Sequence, residues 1–491
     1  MDQAQTAKLV RLDGRKLEGG GQLVRIAVAL SALAGRAIAI HHIRGTRTGK
    51  TGLKASHLAA VQTLAELSGS TTVKVQVGSS SIGFYPPSRD QNQDPASAPI
   101  RQTKSDIDIR LPTPGSVFLV FQALYPYLLH STSTDRIRLS IVGGTNVSSS
   151  PSFDYVSQVL IPNFARLGLP PLSVQLEKRG WSSGPGAGHA HLGRVTFVID
   201  TLRGRGGSGG SPTRPDGTLS SHAIPLMDLQ QCRRGTISRI DITVLAPDDR
   251  LDDSNSHEGS QNTRGNKRSN KQSDSSSQYD EKHAPTETEE CDGPGTVRTF
   301  LEHYVHKALR RRLKDLPPSV LPRRQSKASQ DRFDVVPIET HLTEATHRRS
   351  CLYVLIVAHT STGFRIGRDA LYGSLGGQQK PKKPRRRDKR QDKPQDDIAL
   401  RVKGLVDTCV DDFLRELHDP QLQAESAGHQ PCVDEHMRDQ LVVFEALSKI
   451  TKAPKEQAVD DREDERYWSL HTRTAQWVCR EMLEDGGSSN T

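Results

Sequence analysis

Hydrophobic positions along this chain recur in two rhythms that alternate. Leu23, Ile26, Ala27 and Leu30 stand at i, i+3, i+4 and i+7, the spacing of one helical face. Gly35 follows as a stop, because glycine accepts the left-handed conformation that ends many helices. Ile38, Ile40 and Ile43 then predict a strand. His57 to Leu67 reads as a second helix, and Val73, Val75 and Val77 alternate as a half-buried strand. The same order returns further on. A helix is predicted over Val117 to Leu129, behind Gly115, then a strand through Ile137, Leu139 and Ile141 that ends at Gly143-Gly144. Phe153 to Leu167 is again helical, and Leu172, Val174 and Leu176 alternate. A third unit is expected from Asp439, with a helix over Gln440 to Ile450 and a last one from His471 to Leu483. Recurring units of this kind predict an α+β fold of repeated helix-on-sheet units.

Three stretches break the rhythm. Arg203 to Thr218 is rich in Gly, Ser and Arg; Asp248 to Gly293 is polar and almost free of apolar residues; Gly376 to Asp397 carries a dense basic tract, Lys380 to Lys393. Such segments bury too little apolar area to offset ordering entropy, so they are expected to be disordered loops. Between and beyond them lie a strand (Ile237 to Leu245), a basic helix (Val297 to Leu313) and an apolar strand (Tyr353 to Ala358). These predict a smaller inserted α/β domain. The expected division is a larger domain at residues 8–223 and 366–485, with the inserted domain at 224–365. The inserted domain would carry the loop at about 248–293, and the C-terminal part the basic loop at about 376–397.

Composition narrows the class. Of 491 residues 34% are hydrophobic, and the mean hydropathy is -0.58, both low for a chain that is folded throughout. A net charge of +10 suits a polyanionic partner such as nucleic acid. The six cysteines (Cys232, Cys291, Cys351, Cys409, Cys432, Cys479) include no C-x-x-C pair, which argues against a zinc ribbon or a thioredoxin motif and fits a reducing compartment. Met1 to Gly14 is polar, without the core of a signal peptide. The apolar run Cys351 to Ala358 is too short to span a bilayer. A soluble intracellular protein with no membrane partner is expected.

The chemistry begins at Glu18-Gly19-Gly20-Gly21-Gln22, directly before the first helix. Glycines let a backbone approach a ligand, and a helix N-terminus offers free N–H groups. A plain turn would also use such a run. The longer string is more specific. GGGQLVRIAVALSALAGRAIAI is followed by Ile43-Arg44-Gly45-Thr46-Arg47, then by Gly52-Leu53 and His57-Leu58. This resembles the N-terminal signature of RNA 3′-terminal phosphate cyclases. In order after it come Leu119-Val120-Phe121-Gln122 with Pro126, Gly143-Gly144-Thr145-Asn146 with Pro151, Asp439-Gln440-Leu441, and His471-Thr472-Arg473-Thr474. Each is similar to a block of that family.

The resemblance implies an ATP-dependent ligase of the nucleotidyl-transfer type, acting in RNA end processing. His471 would be the catalytic residue, attacking the α-phosphate of ATP to form a histidyl adenylate. The adenylate would pass to an RNA 3′-phosphate, and the vicinal 2′-hydroxyl would close a 2′,3′-cyclic phosphate. Gln22, Arg25, Arg44, Arg47, Gln122, Pro151, Asp439 and Gln440 would bind ATP or phosphate. Glu18 would hold Mg²⁺ or Mn²⁺. RNA with a 3′-phosphate end would be the partner; the oligomeric state is not specified.

The match departs from the family at Thr51, where proline is usual, at Ser56, where glutamine is usual, and in the loop Gly180 to Gly188. Cyclase-like proteins of ribosome biogenesis share the fold but lack the histidine, so retained His471 favours the true cyclase branch over an inactive ribosome-biogenesis or RNA-binding factor. The tract Lys380 to Lys393 reads as a nuclear import signal, an RNA tether or a plain solvated loop, and the import reading gives the nucleus as the expected location.

Overall fold

The computed structural model describes residues 9–47, 49–87, 104–133, 136–181, 191–202, 224–251, 295–322, 324–325, 333–334, 336–372, 398–425, 430–450 and 467–483. The first sheet holds β1 (Val10–Asp13), β2 (Ile38–His41), β3 (Thr71–Val73) and β4 (Ile82–Tyr85), in the order β1-β2-β4-β3. Helices α1 (Gly21–Ala34) and α2 (Ala55–Ser68) connect β1 to β2 and β2 to β3. Both helices end on a left-handed glycine, Gly35 and Gly69, each with φ 69°.

The second sheet repeats this plan strand for strand. It holds β5 (Asp106–Arg110), β6 (Ile137–Gly143), β7 (Leu172–Lys178) and β8 (Gly193–Ile199), in the order β5-β6-β8-β7. Helix α3 (Val117–Leu129) joins β5 to β6. The predicted helix after β6 is interrupted: α4 (Phe153–Tyr155) and α5 (Ile161–Arg166) flank a π-helical turn, Val156–Leu160. In both sheets the first two strands are parallel and the other pairings antiparallel. The fold is α+β, as its alternating rhythms predict.

The third sheet keeps the same strand directions with a different connection. It comprises β9 (Ile237–Ala246), β12 (Ile338–Ala345), β13 (Tyr353–Thr360) and β14 (Arg365–Leu371), ordered β12-β9-β13-β14, with β12 and β9 parallel. A short ribbon, β10 (Arg324–Gln325) with β11 (Phe333–Asp334), lies between β9 and β12 along the chain. Side chains of β13 alternate between two cores. Val354, Ile356 and Ala358 join a cluster with α6 (Val297–Arg312) and α7 (Ile398–Leu417), while Tyr353, Leu355 and Val357 join the main core. A strand buried on both faces reads as an unbroken apolar run, which is how it stands in the sequence. Each fully buried Val, Leu or Ile side chain there stabilises by about 1.5–3 kcal/mol.

Two expectations need correction, and the expected domain division meets a continuous sheet. The boundary drawn at residues 365/366 falls where β14 begins, yet β14 pairs with β13 along its length and α7 shares the cluster of the third sheet. The final unit has no sheet of its own among the described residues. Its helices, α9 (Glu435–Ile450) and α10 (Leu470–Leu483), join α1 and α3 in the main core, after a short α8 (Pro420–Glu425). The strand through Val73, Val75 and Val77 stops at Val73, because Lys74 takes a left-handed φ of 58° and Val77 is 60% exposed. Helix α1 is buried nearly all round because α2, α3 and α10 enclose it. The loop stretches Arg203 to Thr218, Gly376 to Asp397 and most of Asp248 to Gly293 lie outside the described residues. So do Lys380 to Lys393 and Ser182 to Gly188. No helix of the described residues is long and apolar enough to cross a membrane.

Candidate active site

The glycine run shapes the first wall of the site. Gly19 takes φ 62°, and a Cβ there would lie 2.1 Å from the Gly14 carbonyl oxygen. A Cβ on Gly21 would lie 2.2 Å from His57 Nε2, so only glycine lets that imidazole rest on the first turn of α1. His57 is buried, and its Nδ1 accepts a hydrogen bond from the Lys54 N–H at 3.3 Å. Burial, aided by the charges of Arg25, Lys54 and Arg44, pushes its pKa down to about 3. It is therefore a neutral ring at physiological pH.

His471 stands in the first turn of α10, where the Ser469 hydroxyl accepts the Thr472 N–H at 3.1 Å and caps the helix. Its Nδ1 lies 3.3 Å from Gln22 Oε1 and 3.3 Å from Glu18 Oε2, both carried by the glycine turn and α1. The turn is tied to α10 a second time: the Glu18 N–H donates to Thr474 Oγ1 at 3.2 Å. Arg47 forms an ion pair with Glu18, and Thr46 Oγ1 donates to the Glu18 carbonyl at 2.9 Å. Glu18 is buried, while the His471 side chain is 50% exposed. Partial burial, then the charges of Arg47 and Arg25, lower the His471 pKa, with Glu435 opposing. Both carboxylate oxygens of Glu18 are buried without a hydrogen bond of good geometry.

A cleft of about 510 Å³ opens beside His471. Arg25, Gln122, Pro151, Asp439 and Gln440 line it with His471. Arg44 and Arg47 are not among its lining residues. Arg47 turns to Glu18, and Arg44, with φ 57°, donates to the Lys50 carbonyl at 2.6 Å. Gln22 lies outside the lining but touches His471. Burial raises the Asp439 pKa to about 7, opposed by a hydrogen bond from Gln440 and by Arg25. Burial also lowers Arg25 to about 10, with Asp439 opposing. Two donors in the wall, Gln122 Nε2 and Asn146 Nδ2, are buried without a partner. Buried donors in folded proteins are nearly always paired, so these two suit a ligand that brings acceptors.

Several residues escaped the sequence reading. His57 and Asn146 sit in recognised blocks, but no local feature marked them as chemical. Asp369 of β14 and Thr408 and Asp412 of α7 also line the cleft, and they come from a sheet with no motif to announce it. Asp434 caps α9 and binds three elements: it accepts from the Tyr155 hydroxyl at 2.6 Å, the Gly367 N–H at 2.9 Å and the Met437 N–H at 2.9 Å. Ser56 is buried on the first turn of α2, where its Cβ faces Gly115. No group of three or more His, Cys, Asp or Glu side chains suited to a metal ion occurs among the described residues.

With this geometry in view, comparison with known proteins is specific. A sequence model of the family described as RNA 3′-terminal phosphate cyclase matches residues 16–485. Proteins named RNA 3′-terminal phosphate cyclase are similar over part of the chain. That of Desulfurococcus amylolyticus is 37% identical over 195 residues, covering 40% of this chain and 50% of the relative. That of Korarchaeum cryptofilum is 34% identical over 199 residues, covering 40% and 52%. That of Methylococcus capsulatus is 35% identical over 177 residues, covering 35% and 45%. The alignments thus span about half the length of these relatives. The family match, by contrast, takes in both the glycine turn at one end and His471 at the other, and the chain belongs to the RNA 3′-terminal phosphate cyclase family.

Proposed function

We propose that this chain converts an RNA 3′-phosphate to a 2′,3′-cyclic phosphate, using ATP and a histidyl adenylate on His471. The observation that carries this reading is the set of contacts on His471 Nδ1, made by Gln22 Oε1 and Glu18 Oε2. Gln22 Oε1 as acceptor, with the Glu18 carboxylate charge close by, would keep the proton on Nδ1 and leave Nε2 with its lone pair, the form a nucleophile needs. The lowered pKa keeps the ring neutral near pH 7.

The remaining residues take roles by charge. Nε2 of His471 would attack the α-phosphorus of ATP, forming the N–P bond as pyrophosphate leaves. Arg25, in the cleft wall, would pair with phosphate oxygens, and Arg44 and Arg47 would join it from the neighbouring loop. Gln122, Pro151, Asp439 and Gln440 would hold the nucleotide. The RNA 3′-phosphate would then take the adenylate, and the 2′-hydroxyl would displace AMP. The requirement for that hydroxyl makes RNA the substrate.

A divalent ion fits at Glu18. Its buried oxygens lack hydrogen bonds, and one carboxylate beside substrate phosphates is an ordinary protein share of a Mg²⁺ site. Mg²⁺ or Mn²⁺ held there would shield phosphate charge. Glu18 would exchange part of its pairing with Arg47 for the ion.

The test is ATP-dependent formation of a cyclic end on a 3′-phosphorylated oligoribonucleotide, with a 3′-hydroxyl oligonucleotide as control. Absence of any ATP-dependent product would contradict the reading. Import through Lys380 to Lys393 is proposed with it: a fluorescent fusion should lose nuclear accumulation when the tract is deleted, and unchanged accumulation would contradict import.

A further inference from the structure

We infer that the outer face of α6 is a docking surface for single-stranded RNA, taking the stretch of the strand that leads to its 3′ end. Helix α6 buries Leu301, Val305, Ala308 and Leu309 in the cluster it shares with the third sheet and α7. His303, Lys307, Arg310 and Arg311 are exposed, and exposed Lys314 follows in the 3₁₀ turn Leu313–Asp315. Positions 303, 307, 310, 311 and 314 recur at helical spacings of three and four, so these side chains form one stripe opposite the buried face. The stripe is about 16 Å long at 1.5 Å per residue.

The stripe lacks the acids that a solvated helix face usually interleaves with its cations. Residues 303 to 314 include no Asp or Glu. Cations elsewhere on α6 are paired: Arg298 Nε lies 2.7 Å from Asp248 Oδ1, and Arg312 forms an ion pair with Asp411 of α7. Lys307, Arg310 and Arg311 take part in no ion pair or hydrogen bond among the described residues. Like charges at these spacings repel one another, so the face favours a partner with a row of negative charges.

Aromatic rings beside the stripe favour a nucleic acid over other polyanions. Phe300 and Tyr304 lie one turn apart on α6, both partly exposed, with ring centroids 6.0 Å apart and 25° between their planes. The Tyr304 hydroxyl donates to Asp407 Oδ1 at 3.2 Å and Oδ2 at 3.3 Å, which fixes the ring and occupies that carboxylate. Aromatic rings among cations are the platform on which single strands bind, with bases stacking and phosphates meeting Lys or Arg. The location suits the substrate as well. Asp407 and Asp411 of α7 bond to α6, while Thr408 and Asp412, each the next residue, line the cleft beside His471. Only the width of α7 therefore separates the stripe from the cleft.

The inference rests on the reading that the substrate is RNA, and adds a second contact to the one in the cleft. A strand whose 3′ end lies near His471 crosses α7 and lays its upstream phosphates along Lys307, Arg310 and Arg311, with bases against Phe300 and Tyr304. A trinucleotide fills the cleft alone and gains nothing from α6.

The experiment measures binding of a long fluorescent single-stranded oligoribonucleotide to the full-length protein over a range of salt concentrations, without ATP. The triple variant Lys307→Ala, Arg310→Ala, Arg311→Ala should lose about tenfold in affinity, and its log–log salt slope should shrink by about 2, at roughly 0.7 for each lost phosphate contact. The charge-keeping triple variant Lys307→Arg, Arg310→Lys, Arg311→Lys should bind like the wild type. ATP-dependent cyclisation of a 3′-phosphorylated trinucleotide should be the same in the alanine variant and the wild type. Unchanged affinity of the alanine variant for the long strand, or an equal loss with the trinucleotide, would overturn the proposal. Competition by polyglutamate as effective as by unlabelled RNA would also overturn it, marking a surface for acidic protein. Binding is read without ATP, so a chain that binds the long strand through α6 but cyclises no trinucleotide would contradict the proposed activity alone.

Discussion

His471 Nδ1 lies 3.3 Å from Glu18 Oε2, which joins the last helix to the glycine turn before the first. The contact exists because α10 packs on α1, and the Glu18 N–H bonded to Thr474 fixes how the two helices meet. The chain ends therefore build one site together, and the consequences are specific.

Gly21→Ala should disturb the site through sterics. The added methyl would sit 2.2 Å from His57 Nε2, so the ring must leave its place on α1. Overpacking of this kind typically costs about 1–3 kcal/mol. Thermal unfolding should show a lower Tm, and self-adenylation should fall at least tenfold. An unchanged Tm and rate would contradict the packing described for His57.

Gln122→Leu separates binding from stability. The wild-type Nε2 is buried without a partner, and such a group costs about 1–3 kcal/mol. Replacing it with an apolar side chain should leave stability equal or raise it. The KM for ATP should rise, because the nucleotide loses a donor. A clear fall in Tm would show that Gln122 has a structural partner.

Asp439 gives a pH dependence with a definite sign. Burial raises its pKa from 3.8 to about 7, so between these values the folded chain holds a proton that the unfolded chain releases. Stability from this group is complete below about pH 3.8 and is lost as pH rises through about 7. Asp439→Asn should therefore gain stability relative to the wild type at pH 8 and little at pH 4. Melting curves across that range check it. The same variant should adenylate poorly, since Asp439 lines the cleft beside Arg25.

Much of the fold was legible because its signals are local. The apolar periods over Val117 to Leu129 and Ile137 to Ile141 coincide with α3 and most of β6. β4 was missed because Ile82-Gly83-Phe84-Tyr85 is short and shows no clean alternation; its burial comes from pairing with β2 and β3. β14, which starts at the expected boundary of 365/366, was hard to read for a related reason. β14 reads as a polar segment, Arg365-Ile366-Gly367-Arg368-Asp369, and only its pairing with β13 shows that it continues the sheet. At the site, co-linear motifs led to His471, Glu18 and Gln22. Asp369 and Asp412 carry no motif, and their place in the cleft follows from how the third sheet and α7 pack.

The most direct test of the account is covalent labelling of the protein with ATP carrying a radiolabelled α-phosphate. The wild type should retain label that is acid-labile and alkali-stable, as expected of a phosphoramidate on histidine, and His471→Ala should retain none while melting normally. A His471→Ala protein that takes up label like the wild type would contradict the central claim.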